Sequence, residues 1–174
     1  ADKDGFLDEI KAALESDPFS LSSRPLGLPT PERSDALGNE KLSIRLNFAA
    51  PNNDFIVLTG RLPIDTAIPA GTTLIVDVGG VVKTIVLSST ERAQLASERV
   101  VMQVRRAPRR NFRLQLNAGS FAEALADEQL TSAEIKAAPR KVNVTIIFLN
   151  VVYKVSIPQS YSVIGSVGRT TTAR

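Results

Sequence analysis

From Lys41 onward the chain alternates apolar and polar positions with a period of two. Leu42, Ile44, Leu46 and Phe48 are separated by Ser43, Arg45 and Asn47. Successive side chains of a strand point to opposite faces, so this pattern buries one face and leaves the other in water. Residues 55–62 predict a second strand. Residues 74–78 and 81–87 predict a hairpin across Gly79-Gly80, because a two-residue turn needs the positive φ angles that glycine adopts without strain. Val100, Met102 and Val104 predict a further strand, paired with Phe112, Leu114 and Leu116 across Ala107-Pro108-Arg109-Arg110. Val142, Val144, Ile146 and Phe148 alternate again. A last strand over 151–157 follows the turn at Leu149-Asn150.

Two segments break this texture. Phe6, Leu7, Ile10 and Leu14 recur at helical spacing and predict an N-terminal helix that stops before Pro18. Ser120 with Glu123 has the spacing of a capping box and predicts a helix over 121–129; Thr131 with Glu134 repeats it for a short second helix. About eight short strands with tight turns and one helical insertion predict a mainly β fold: an antiparallel β-sandwich of immunoglobulin-like type, with a β-barrel as the alternative. The domain plan is a head over 1–19, a Pro/Ser-rich linker over 20–40, the sandwich over 41–164, and a polar, frayed tail over 165–174.

Composition narrows the chemistry. The 174 residues are 43% hydrophobic, enough for a full core, but only 5% aromatic with no Trp. Platforms that stack bases or sugars rely on exposed aromatic rings, so that class is disfavoured. Cys and His are both absent, which removes the main ligands of transition metals and the nucleophile–base pairs of Ser-His-Asp and Cys-His catalysis. Oxygen ligands suited to calcium or magnesium are left. Acids such as Asp54, Asp65, Asp77, Glu91, Glu98, Asp127 and Glu128 could form a carboxylate pair only if folding brought two together, and the expectation is a non-catalytic protein. No apolar run is long enough to predict a transmembrane helix.

Charge is unevenly placed. The net charge is +3, yet residues 1–40 hold nine acids and four bases, a net of −5, which leaves +8 on the rest. Arg105, Arg106, Arg109, Arg110 and Arg113 cluster on one predicted hairpin. Guanidinium forks suit phosphate and carboxylate, so these arginines are the candidate anion-binding residues. The plainer alternative is a solvated hairpin tip that guards a sheet edge. Nucleic acid is disfavoured, because no aromatic residues interleave the arginines and no reader motif is present.

The head reads A-D-K-D-G-F-L-D-E-I. Acids at alternate positions followed by Gly are the pattern of an EF-hand-type calcium loop. Asp2, Asp4 and Asp8 would supply carboxylates and Phe6 a carbonyl, while Lys11 stands where the closing acid belongs. A helix start favoured by acidic residues accounts for the same pattern.

The segment D-K-D-G-F-L-D-E-I-K-A-A-L-E-S-D-P, followed by S-S-R-P, resembles the final unit of thrombospondin-type-3-like repeats in bacterial secreted proteins. The stretches L-S-I-R-L-N-F, T-G-R-L-P-I, V-D-V-G-G-V-V-K-T and F-A-E-A-L-A-D-E-Q-L-T resemble uncharacterised sandwich domains placed after such repeats. The resemblance implies a secreted or cell-surface location and calcium at Asp2, Asp4, Phe6 and Asp8. The function expected is that of a structural or adhesive module that meets itself or a cell-surface polymer. A carbohydrate-binding or other anionic-ligand-binding accessory domain is the alternative.

Overall fold

The alternation seen in the sequence becomes strand at every place where it was strongest. In a computed structural model the described residues are 33–36, 38–64, 68–90, 92–95, 100–104 and 110–172. Among them are eleven strands: β1 (Arg33–Ala36), β2 (Gly38–Asn47), β3 (Asp54–Arg61), β4 (Thr73–Val78), β5 (Val81–Val86), β6 (Arg92–Leu95), β7 (Val100–Val104), β8 (Asn111–Gly119), β9 (Ile135–Phe148), β10 (Val151–Ile164) and β11 (Val167–Thr172). The predicted N-terminal helix and most of the predicted linker lie outside the described residues.

The strands hydrogen-bond in the order β5-β4-β9-β10-β11-β2-β3-β8-β7-β6, and β1 adds to β10 in parallel. All other pairings are antiparallel. The chain passes from β5, at one end of this order, to β6, at the other, within five residues. Five residues span at most about 18 Å. The sheet must therefore curl until its two ends meet, which sets β5-β4-β9-β10 over β2-β3-β8-β7-β6. The two arms are joined into one ladder through β11, so the fold is a single curled antiparallel sheet, mainly β as expected.

A single core fills the space between them. Leu42, Ile44 and Leu46 from β2, Ile56 and Leu58 from β3, and Leu114 and Leu116 from β8 meet Leu74, Val76 and Val78 from β4 and Val144, Ile146 and Phe148 from β9. Each such side chain contributes about 1.5–3 kcal/mol when fully buried. Ile75, Ile147 and Val152 lie in register on the opposite side of β4, β9 and β10 and are buried as well. At these positions the strands are shielded on both faces, while Lys141, Asn143, Lys154 and Ser156 further along are exposed.

Two expectations need correction. The helical insertion is only a single turn of 3-10 helix, Ala124–Ala126, with no side-chain cap from Glu123. The Ser120 hydroxyl is engaged elsewhere, accepting from the Asn52 amide N–H at 3.0 Å. The Phe121 N–H instead donates to Asp54 Oδ2 at 2.6 Å. No second helix forms at Thr131–Glu134. The Thr131 carbonyl accepts from the Tyr161 hydroxyl at 2.8 Å, and β9 begins at Ile135, where it pairs with Val163.

The polar tail is the second correction. Residues 167–172 form β11, bonded to β10 on one side and to β2 on the other. Its Thr170 is buried, and the Thr170 Oγ1 accepts from the Ile44 N–H at 2.9 Å. A polar sequence can sit at the centre of a sheet because its backbone makes the ladder. A Cβ on Gly168 would overlap the hydroxyl of the fully buried Tyr161, so the ring can lie across β11 only where a side chain is missing.

Gly79 and Gly80 form the predicted turn, with φ of 57° and 91°. A Cβ on Gly79 would lie 2.8 Å from Leu125 Cδ2, and one on Gly80 would lie 2.9 Å from the Ala124 carbonyl. Replacing both with Val should destabilise the domain by about 2 kcal/mol or more and lower the thermal midpoint accordingly. An unchanged midpoint would rule out strain at this turn.

Burial pushes the Tyr161 phenol up from 10.0 to about 12, with Arg140 opposing the rise and Asp54 adding to it. The unfolded chain loses this proton near pH 10, below the folded value. The stabilisation is therefore complete below about pH 10 and is lost as pH climbs toward 12. Melting curves across this window should fall less steeply for Tyr161→Phe than for the parent.

Candidate functional site: a cationic sheet face

The outer face of β11-β2-β3-β8 is defined by the same alternation that builds the core. With Leu42, Ile44 and Leu46 turned inward, Lys41, Ser43 and Arg45 turn outward; Arg61, Arg113 and Arg169 are outward and exposed on β3, β8 and β11. Register sets these in rows. Arg169 lies opposite Arg45, which lies opposite Phe55, which lies opposite Asn117. Two residues further along, Ser43, Val57 and Gln115 form the next row, and Lys41, Thr59 and Arg113 the one after. No Asp or Glu occupies an outward position of these strands from Lys41 to Asn47, from Phe55 to Arg61, from Asn111 to Asn117 or from Val167 to Thr172.

A bulge shapes the corner of this face. Asp54 pairs with Gly119 and Phe55 with Asn117, which leaves Ala118 as an extra residue with φ of 55°. Bulges bend the strand and re-aim nearby side chains. Beside this one is an open depression of about 590 Å³, lined by Arg45, Phe55, Arg169, Asn53 and Ala118. Asp54 also borders it, but its carboxylate accepts from two backbone N–H groups, Asn47 at 2.7 Å and Phe121 at 2.6 Å. Along β8, Arg113 Nη2 donates to Gln115 Oε1 at 3.3 Å and Gln115 Nε2 donates to Asn117 Oδ1 at 3.0 Å, a polar ladder leading toward the depression.

Phe55 is exceptional. Among the described aromatic residues, Phe112, Phe121, Phe148, Tyr153 and Tyr161 belong to the core and Phe48 packs against it; only Phe55, half-buried, lies outside. Comparison of the chain with family models, with curated proteins and with solved structures gives no match.

The predicted hairpin forms between β7 and β8, and two of its five candidate arginines, Arg110 and Arg113, are among the described residues. Arg113 lies on the cationic face. Arg110 is buried, and its carbonyl accepts from the Leu62 N–H at 3.0 Å, so it does not present its guanidinium at an exposed turn. Arg105, Arg106 and Arg109 lie outside the described residues, as do Asp2, Asp4, Phe6 and Asp8. Lys41, Arg45, Arg61, Arg169 and Phe55 were not singled out from the sequence. The alternation of β2 already turned Lys41 and Arg45 outward, whereas Arg61 follows from the register of β3 and Arg169 joins them only because the expected tail is a strand.

A second depression, about 320 Å³, is lined by Asp77, Glu123, Asp127 and Glu128. Asp77 Oδ1 accepts from the Gly80 N–H at 2.8 Å. Glu128 Oε1 accepts from the Asn143 backbone N–H at 3.1 Å and its Nδ2 at 3.0 Å. Two of these acids thus stabilise turns and strand ends. Among the described residues no three acids converge as a metal-holding group.

Like charges directly opposite one another on a sheet destabilise it. Neutralising Arg45 and Arg169 together to Gln should therefore raise the thermal midpoint by roughly 1–3 °C. A fall in the midpoint would show that the two guanidiniums serve the fold instead.

Proposed function

We propose that this domain is a non-catalytic adhesive module of a secreted or cell-surface bacterial protein, and that it attaches to an anionic polymer through the outer face of β11-β2-β3-β8. The observation that carries this reading is Arg45 directly opposite Arg169, with no acid along the neighbouring stretches 41–47, 55–61, 111–117 and 167–172. A fold under selection for stability alone gains nothing from two guanidiniums in register. An anion placed between them converts the repulsion into two charge-assisted contacts. Lys41, Arg61 and Arg113 extend the positive field across the sheet, which favours a chain of charges over a single ion.

A carbohydrate-binding accessory role is the closest alternative, and it shares the same face. Calcium enters the proposal through Asp2, Asp4, Phe6 and Asp8, which lie outside the described residues, as a weakly held ion of the segment preceding the sandwich. Self-association is a third route to assembly.

Retention on immobilised heparin at graded salt tests the reading. The parent should elute at high salt with a steep salt dependence, since each cation–anion contact releases counterions. Changing Lys41, Arg45, Arg61, Arg113 and Arg169 to Ser should weaken binding by about tenfold or more at moderate salt, with a shallower slope. Equal elution of both proteins sinks the assignment. A larger loss from neutralising Arg105, Arg106 and Arg109 alone moves attachment to the β7–β8 connection.

A further inference from the structure

The geometry points to a specific unit of the anionic polymer: one acidic sugar residue, seated in the depression beside the Ala118 bulge with its ring on Phe55 and its acid group between Arg45 and Arg169. This inference rests on the attachment face proposed above and names what that face selects.

Three observations converge there. Phe55 is the aromatic side chain excluded from the core among the described residues, and it is the cross-strand neighbour of Arg45. An apolar ring turned outward on a cationic face loses burial that an inward position would supply, so it fits a ligand with an apolar side as well as a charge. The C–H faces of a pyranose ring provide such a side.

The two guanidiniums come next. Arg169 and Arg45 are direct partners across the β11–β2 ladder, and both line the depression with Phe55. Planar guanidinium forks bind carboxylate or sulfate through paired N–H donors. A sugar acid carries its anionic group at the margin of the ring, which suits arginines flanking an aromatic ring.

The third observation is concavity. The depression, about 590 Å³, falls within the roughly 300–1,000 Å³ typical of small-ligand sites. Asn53 and Ser43 at its border offer side-chain amide and hydroxyl groups to sugar hydroxyls. A membrane surface needs no such hollow. Single-stranded nucleic acid is read by successive stacking rings, and this face has one.

The experiment uses the intact chain and its Phe55→Leu variant, which keeps an apolar side chain but removes the aromatic face. Affinities are measured for polygalacturonate, heparin, polyphosphate, an oligothymidylate and phosphatidylglycerol vesicles, with thermal melting of both proteins alongside. The proposal expects the parent to prefer one of the two sugar polymers over polyphosphate at equal charge density. Preference for polygalacturonate identifies a carboxylated sugar, and preference for heparin a sulfated one.

Phe55→Leu should lose about tenfold in affinity for the preferred sugar polymer and keep its affinity for polyphosphate, with an unchanged melting temperature. Loss of affinity for both polymers alike, or no loss for either, overturns the sugar assignment while the cationic face stands. Tighter binding to the oligothymidylate or to vesicles than to either sugar polymer overturns it too. If the parent binds no polyanion at all, the attachment face itself fails.

Discussion

The contact on which this fold depends is the crossing of Tyr161 over Gly168. β11 is the strand that joins the two layers, and it can take that place only if the large ring on its neighbour β10 has somewhere to go. A missing side chain on Gly168 makes the room, and the Thr131 carbonyl accepts the hydroxyl that the ring carries inward. From that point the layers share one ladder, the Thr170 hydroxyl takes up the Ile44 N–H, and Arg169 comes to rest opposite Arg45. The seam is thus what brings the two arginines of the cationic face together. Without β11, Arg45 would face a sheet edge.

Much of the architecture was legible because it follows from period-two burial. The inward residues of β2, β8 and β9 could be picked out from the alternation alone, and Gly79-Gly80 announced its turn; the apolar run Phe55-Ile56-Val57-Leu58 marked β3 as a strand without saying which side faces in. What misled was local chemistry without its competitors. The Ser120–Glu123 spacing suits a helix cap, but Asn52, far away in sequence, engages the serine. Residues 165–174 look like a frayed end because their side chains are polar, although a central strand needs only its backbone and a few small side chains to fit.

The candidate site was less legible for a related reason. Clustering along the sequence favoured the arginines from Arg105 to Arg113, whereas clustering in space follows register across strands. Arg45 and Arg169 are remote in sequence and direct neighbours in the sheet. Arg110, close to Arg113 in sequence, turns inward where β8 begins. The bulge at Ala118 had only a weak signal, the short run Asn117-Ala118-Gly119, because a positive φ at alanine is set by pairing with β3 and not by the residue itself.

The placement of β11 also bears on how the chain reaches its native state. Ile44 and Thr170, joined by a hydrogen bond across the seam, are 126 residues apart. Synthesis runs from the amino end, so β2 and β3 leave the ribosome long before the strand that covers the other side of β2. Closing so distant a contact is intrinsically slow, and the open edge of β2 is a template for pairing with another chain in the meantime. Arg45 and Lys41 stand along that edge while it waits, and their charge repels a second copy of the same strand. Side chains that serve as a docking face in the finished domain thereby protect the unfinished one from aggregation.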